Sequence, residues 1–258
     1  MKHTDFTNVT EQPGQKASKE QLSMIMTRYN WAKEAGKGKH ILEIACGSGT
    51  GLGFLSENAE SILGGDIDPN LVAIARKSYK NRPKIKIEVL DAQQTGLPDN
   101  HFDLIVFFEA IYYLPDAKKF FQEAKRILKP EGQMLVSTVN CSWHGFNPSP
   151  FSIKYYTCDE LYKLAKDIGF NPSIHLGFYD KPSGLGKFIG LIRILAVRLR
   201  LIPNTMEGKE RLKRIFFGEL QSIPSEISQN MAPAENMKPF SDQLDLQNYK
   251  QIYLTCKI

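Results

Sequence analysis

A chain of 258 residues can build one large α/β domain with a hydrophobic core, or two small ones, and 42% hydrophobic with 24% charged residues is ordinary for a soluble globular protein. The formal charge of +5 is uneven: residues 181–214 hold nine basic side chains against two acidic ones, and the remainder is slightly negative. Cys46, Cys141, Cys158 and Cys256 share no Cys-x-x-Cys spacing and no histidine at ligand distance, which argues against a disulfide framework or structural zinc and for a reducing compartment. Residues 1–14 are polar, without the apolar run of a signal peptide. The longest apolar stretch, 188–202, is 15 residues long and holds three arginines, too short and too charged to span a bilayer. The expectation is a cytoplasmic protein, peripheral to a membrane at most.

Residues 1–17 read as loose. Ser18 and Gln21 make a capping box for a helix whose apolar face is Leu22, Ile25, Met26, Tyr29 and Ala32, stopped by Gly36. A buried strand is predicted over 40–45, then a glycine cluster and a helix through Phe54 and Leu55. A second strand follows over 61–66. Asp68 caps the next helix, with Pro69 at its first position. Strands are predicted over 84–90, by alternation, and 102–108, by a continuous apolar run that needs cover on both faces. Asp116 caps a helix with Phe120, Phe121, Ala124, Ile127 and Leu128 on its apolar side. The Lys129-Pro-Glu-Gly132 turn leads to a strand over 133–139. Thr157 and Glu160 open a helix that ends near Gly169, and 172–178 and 249–257 are the last strands. Alternating β and α elements predict a doubly wound α/β fold with a mostly parallel sheet. The expected organisation is an N-terminal helical cap, residues 1–37, then a domain over 38–258 with a basic helical insert at about 180–248.

The first strand runs into Glu43-Ile-Ala-Cys-Gly47-Ser-Gly49-Thr-Gly51-Leu-Gly53. A glycine cluster here lets the backbone approach a ligand at the carboxyl edge of the sheet. The dinucleotide fingerprint G-x-G-x-x-G fails in every register, because its third place falls on Leu52, Phe54 or Ser56. No Gly-Lys-Ser/Thr follows, so it is not a P-loop either. Asp66 ends the second strand, where a carboxylate can accept from ribose hydroxyls, and Asp91-Ala92 ends the third, where one can accept from an exocyclic amine.

Taken in order, Glu43-x-Ala-x-Gly47-x-Gly49, Asp66-Ile67, Asp91-Ala92 and Lys129-Pro-Glu-Gly132 resemble the motifs of class I S-adenosylmethionine-dependent methyltransferases, over about residues 38–178 plus the last strand. The resemblance implies a seven-stranded sheet with an antiparallel last strand, and S-adenosylmethionine as methyl donor. It implies Ala45, Gly47 and Gly49 behind the methionine part, with Glu43 and Ser48 in the same cofactor-binding set. Asp66 would take the ribose, Ile67 the adenine face, and Asp91 and Ala92 the adenine edge. Ala45 departs from the family's usual glycine, and its small methyl is not expected to block binding.

Acceptor chemistry is written after the fourth and fifth strands. A hydroxyl acceptor needs a base, and His144 is the first candidate because histidine titrates near neutral pH; Glu109 is the second. The bland alternatives are a surface histidine and a structural carboxylate. Tyr112, Tyr113, Trp143 and Asn147 are expected in the pocket wall. No metal is expected: quinone-pathway O-methyltransferases resemble this region but have Glu and His in place of Tyr112 and Tyr113. The whole chain resembles bacterial small-molecule methyltransferases, often of glycan pathways, which implies O-methylation of a glycan, a lipid-linked sugar or another small metabolite. N-methylation of a small amine, and a silent protein of the same fold that binds a membrane or partner through its basic segment, stay open. That segment reads as a lid in preference to a membrane contact, and its arginines suit an anionic or lipid-linked acceptor. Nucleic acid is not expected, because aromatics are not interleaved with the charges.

Overall fold

The structure, a computed structural model, describes residues 10–149, 151–180, 219–241 and 243–258. In chain order its elements are β1 (Lys16–Ser18), α1 (Lys19–Ala35), β2 (His40–Ile44), α2 (Leu52–Ser56), β3 (Ser61–Asp66), α3 (Pro69–Tyr79), β4 (Ile85–Val89) and β5 (Phe102–Phe108). They continue with α4 (Ala117–Ile127), β6 (Leu128–Val139), α5 (Cys158–Ile168), β7 (Asn171–Tyr179), β8 (Leu220–Ser222), β9 (Lys238–Pro239) and β10 (Tyr249–Lys257). The main sheet has the order β4-β3-β2-β5-β6-β10-β7-β9. β2 to β6 pair in parallel, and β10 lies antiparallel between β6 and β7. The seven expected strands are all present, and the last one is antiparallel as expected.

Alternation explains how the sheet carries helices on both faces. Along β2 and β5, Leu42, Ile105 and Phe107 point into a core shared with Phe120 and Phe121 of α4 and Leu161 of α5. Their neighbours Ile41, Leu104 and Val106 point the other way, against Leu22, Ile25 and Met26 of α1 and Phe54 of α2. The four helix caps read from sequence form: Ser18, Asp68, Asp116 and Thr157 each accept a backbone N–H from the first turn. Strand order reverses between β2 and β5, so the crevice of the sheet opens at their carboxyl ends.

Four features depart from expectation. Residues 16–18, read as loose, form β1 and pair antiparallel with β8, Lys16 opposite Ser222. Lys129–Gly132 is no free-standing turn, because it lies inside β6 as a register slip: Leu128 pairs with Phe102, but Gln133 pairs with Leu104. β9 adds a short eighth strand at the edge. Residues 219–241, expected within a helical insert, hold no helix: apart from β8 and β9 they are turns and irregular backbone, touching α1 at Ser23 and Thr27. There Ile223 and Ile227 are buried, the Ile227 amide donates to Thr50 O (2.9 Å), and Thr27 Oγ1 accepts from the Glu235 amide (2.9 Å). The apolar basic stretch 188–202 lies outside the described residues. Among those described, no helix is long and apolar enough to cross a membrane.

Candidate active site

The two strands flanking the crevice end alike. Ala45, after β2, has φ +57°, and Glu109, after β5, has φ +52°. Left-handed backbone is uncommon outside glycine, and the strain concentrates where strand ends turn sharply to present backbone and side chain to a ligand. From Ala45 the chain enters the glycine loop, with Gly47 at φ +57°. Gly51 has a packing reason of its own: a Cβ there would lie 1.9 Å from the Tyr29 ring. Tyr29 in turn donates to Glu43 Oε1 (2.6 Å).

The other oxygen of Glu43, Oε2, is buried with no partner. Burial pushes the Glu43 carboxyl up to about 7, against the pull of the Tyr29 hydroxyl and the Arg28 charge. Beside it Arg28, 7% exposed, pairs through Nη2 with Glu11, and its Nε is also buried and unpartnered. Asp66 closes the loop from β3: Oδ2 accepts from the Gly47 amide (2.8 Å) and Oδ1 from the Asp68 amide (2.9 Å). Burial raises its pKa, with both amides opposing the shift. At the same rim Ile67 is 51% and Val89 49% exposed, although both are apolar. Asp91 is exposed and accepts from the Gln93 amide (2.8 Å), while Ala92 and Ser48 are buried.

Across the crevice, Glu109 Oε1 accepts from Ser137 Oγ (3.2 Å) of β6, and the Gln251 amide of β10, oriented to satisfy both of its ends, donates to the same oxygen (3.0 Å) and to Thr138 O (3.1 Å). Oε2 faces the Tyr112 hydroxyl at 3.4 Å. Burial raises the Glu109 pKa, opposed chiefly by the Arg28 charge. Buried Asn140 anchors the next loop, its amide donating to Leu246 O and Tyr249 O (both 2.8 Å). The loop folds back on the tyrosines: the Ile153 amide donates to Tyr112 O (2.7 Å), Tyr155 stacks on Tyr112 at 4.8 Å, and Tyr113 Oη meets Ser149 Oγ at 3.0 Å. His144 is exposed on the far side of this loop. Its Nδ1 lies 2.8 Å from Gln247 O, and its Nε2 faces Asp180 at 3.9 Å. Trp143 lies under Lys250, which pairs with Glu20 (2.7 Å) and Asp180 (3.3 Å); Asn147 is exposed. Among the described residues no cluster of three His, Cys, Asp or Glu side chains could hold a metal.

This arrangement sits in a stretch with known relatives. The family described as a methyltransferase domain matches residues 42–136, from β2 into β6. A probable S-adenosylmethionine-dependent methyltransferase of Mycolicibacterium smegmatis is 32% identical over 148 residues, 55% of this chain and 56% of that protein. The stretch from β2 into β6 is thus similar to a methyltransferase domain of the class I type. A ubiquinone biosynthesis O-methyltransferase of Coxiella burnetii is 24% identical over 111 residues, 43% of this chain and 47% of its own length. The chain thus spans about half the length of these curated relatives. In fold, the YcgJ protein of Bacillus subtilis superposes with a TM-score of 0.59 at 15% identity, covering 90% of this chain and 98% of that one.

Within that stretch, Glu43, Ala45, Gly47, Gly49, Asp66 and Glu109 stand together at the carboxyl ends of β3, β2 and β5. Tyr112 and Tyr113 adjoin Glu109, whereas Trp143 and His144 lie toward β10 and β7. Sequence reasoning missed Arg28, Tyr29, Val89, Ser137, Tyr155 and Gln251 as site residues. Only Gln251 left a trace, as a polar residue in a strand otherwise buried by apolar neighbours. Ala45 offers a direct test of the strain. Ala45→Gly removes a left-handed alanine costing about 1–2 kcal/mol, offset in part by glycine's greater unfolded freedom. The expected net gain of about 1 kcal/mol raises Tm by roughly 2–4 °C. A fall in Tm on calorimetric scanning would show that Ala45 is relaxed where it stands.

Proposed function

We propose that the protein transfers a methyl group from S-adenosylmethionine to a hydroxyl of a small-molecule acceptor. One observation carries the donor half of this reading: two buried, unpartnered atoms of opposite kind, Glu43 Oε2 and Arg28 Nε, beside the glycine loop. Each such atom costs roughly 1–3 kcal/mol while unpaired. The ammonium and carboxylate of an amino-acid end satisfy both at once, whereas a phosphate serves Arg28 alone. Asp66 would meet the ribose, Ile67 and Val89 an adenine face, and Asp91 with Ala92 its edge. Bound S-adenosylmethionine supplies a methyl carbon activated by its sulfonium.

The chain's own part is to orient the acceptor and hold its proton. Ser137 and Gln251 occupy Oε1 of Glu109, which leaves Oε2, beside the Tyr112 hydroxyl, as the basic oxygen. Burial raises its pKa, which makes it a stronger base than an exposed carboxylate. His144 is the second candidate: with Nδ1 donating to the Gln247 carbonyl, Nε2 is the basic nitrogen, and it serves an acceptor reaching toward Trp143. Tyr112, Tyr113 and Tyr155 suit the faces of sugar or quinone-like rings, and the basic residues at 181–214 favour an anionic or lipid-linked acceptor such as a glycan intermediate.

The test is calorimetric titration with S-adenosylmethionine, followed by release of S-adenosylhomocysteine on addition of pooled cell extract. A cationic ligand favours ionised Glu43, so affinity rises with pH up to about 7 and then levels. Between about pH 5.5 and 7 the expected gain is roughly tenfold, and Glu43→Gln flattens the profile while weakening binding. The fold responds in the opposite sense: the raised pKa means stability is fullest below about 4.5 and is lost as pH climbs through about 7, so Glu43→Gln is more stable at neutral pH. No heat of binding at any pH would remove the donor reading.

A further inference from the structure

Residues 10–13 lie over the site just described. Thr10 Cγ2 fills the notch left by Gly47, 2.7 Å from where a Cβ on that glycine would stand. Glu11 follows, with its carboxylate on Nη2 of Arg28. Behind these two residues the chain closes into a turn, the Gln12 amide donating to Gln15 Oε1 and the Gln15 amide to Gln12 O (both 3.2 Å). The Gly14 amide donates to Ile223 O and the Ile223 amide to Gln15 O (both 2.8 Å), and β1 continues that pairing with β8. Gly14, at φ +84°, supplies the left-handed residue of that turn, so a displacement of Thr10 and Glu11 is taken up ahead of Gln12.

We propose that residues 10–13 are a latch that occupies the cofactor site in the free protein, with Glu11 standing in for the carboxylate of the cofactor's amino-acid end. This rests on the donor reading above. Glu11 is a displaceable occupant for two reasons. It engages only one arm of the guanidinium, leaving Nε orphaned, and a ligand carboxylate that takes Nε and Nη2 side by side makes the stronger bidentate pair. Its side chain is also 45% exposed, so releasing it to water costs little. Its negative charge opposes that of Glu109, which adds to the ease of release. Ligand and latch therefore compete for the same guanidinium, and the apparent affinity is lowered by the fraction of molecules with the latch closed.

The experiment is calorimetry with S-adenosylhomocysteine on the full chain, wild type against Glu11→Ala. Freeing Arg28 is expected to tighten binding about 3- to 30-fold. In an Arg28→Ala background the same substitution should change nothing, because latch and ligand no longer share a target. Equal affinity in wild type and Glu11→Ala would overturn the latch and leave the donor reading standing. Weaker binding by Glu11→Ala would overturn it too, making Glu11 a support for Arg28. If neither protein binds, both the latch and the donor reading fall. Should Glu11→Ala fold poorly, amide hydrogen exchange in the wild type decides: the amides of Thr10, Glu11 and Gln12 are expected to exchange faster with S-adenosylhomocysteine bound. Slower exchange there would mean that the segment closes over the ligand instead of giving way to it.

Discussion

Glu109→Gln is expected to lower methyl transfer roughly 10²–10⁴-fold, the usual worth of a positioned base, with S-adenosylhomocysteine affinity within a factor of a few of wild type. The amide keeps an oxygen for the Ser137 hydroxyl and the Gln251 amide, so the change falls on proton uptake and not on packing. In the wild type, burial raises the Glu109 pKa, so activity should climb as pH passes through that raised value and the carboxylate ionises. The variant should lose this limb of the profile. The measurement is turnover against pH with an acceptor found by extract-driven release of S-adenosylhomocysteine. His144→Ala run alongside should stay within a few-fold of wild type. If instead His144→Ala takes the large loss and Glu109→Gln does not, the proton goes to the loop histidine, and Glu109 is a structural carboxylate.

Asp66→Ala should weaken S-adenosylmethionine binding on the order of 10- to 150-fold, from the loss of a charge-assisted contact worth roughly 1.5–3 kcal/mol. The structure adds a second consequence that position alone does not give. The same carboxylate takes the Gly47 and Asp68 amides, so alanine also strands two buried donors and loosens the glycine loop. Stability should therefore fall with affinity. Asp66→Asn separates the two, since its amide oxygen still accepts from one backbone N–H while the charge is gone. Calorimetry for binding and denaturant unfolding for stability check the pair. Full affinity in Asp66→Ala would take the residue out of the cofactor site.

What could be read in the sequence was what is local. Alternating and continuous apolar runs marked all seven main strands, because a sheet covered on two faces writes its burial directly into the chain. Ser18, Asp68, Asp116 and Thr157 announced helix starts, because a cap acts within three residues. Gly47, Asp66 and Asp91 were legible because each sits where a strand stops. Arg28 was not, since a lone arginine among apolar helix residues looks like a solvated position until α1 is laid against the sheet. Gln251 meets Glu109 through a register set across more than a hundred residues of chain. β1 and β8 are three residues each and about two hundred apart, too short for any periodicity to show. Lys129–Gly132 misled because proline and glycine mark a turn, whereas the chain spends them on a slip within one strand.

The position of β10 bears on how the molecule is made. It is hydrogen-bonded along both edges, to β6 on one side and β7 on the other. Every element proposed to hold the donor, from α1 to β6, has left the ribosome once residue 139 is through. β7 has no partner in the main sheet beyond β9 until residues 249–257 emerge. At 5–20 residues per second that delay is on the order of ten seconds. Over this interval the nascent chain carries the paired strands β4-β3-β2-β5-β6 with a bare outer edge on β6, beside a second strand open on the side that β10 will take. Those two edges are the chain's window of exposure to misassembly, and a translation pause before residue 249 would lengthen it.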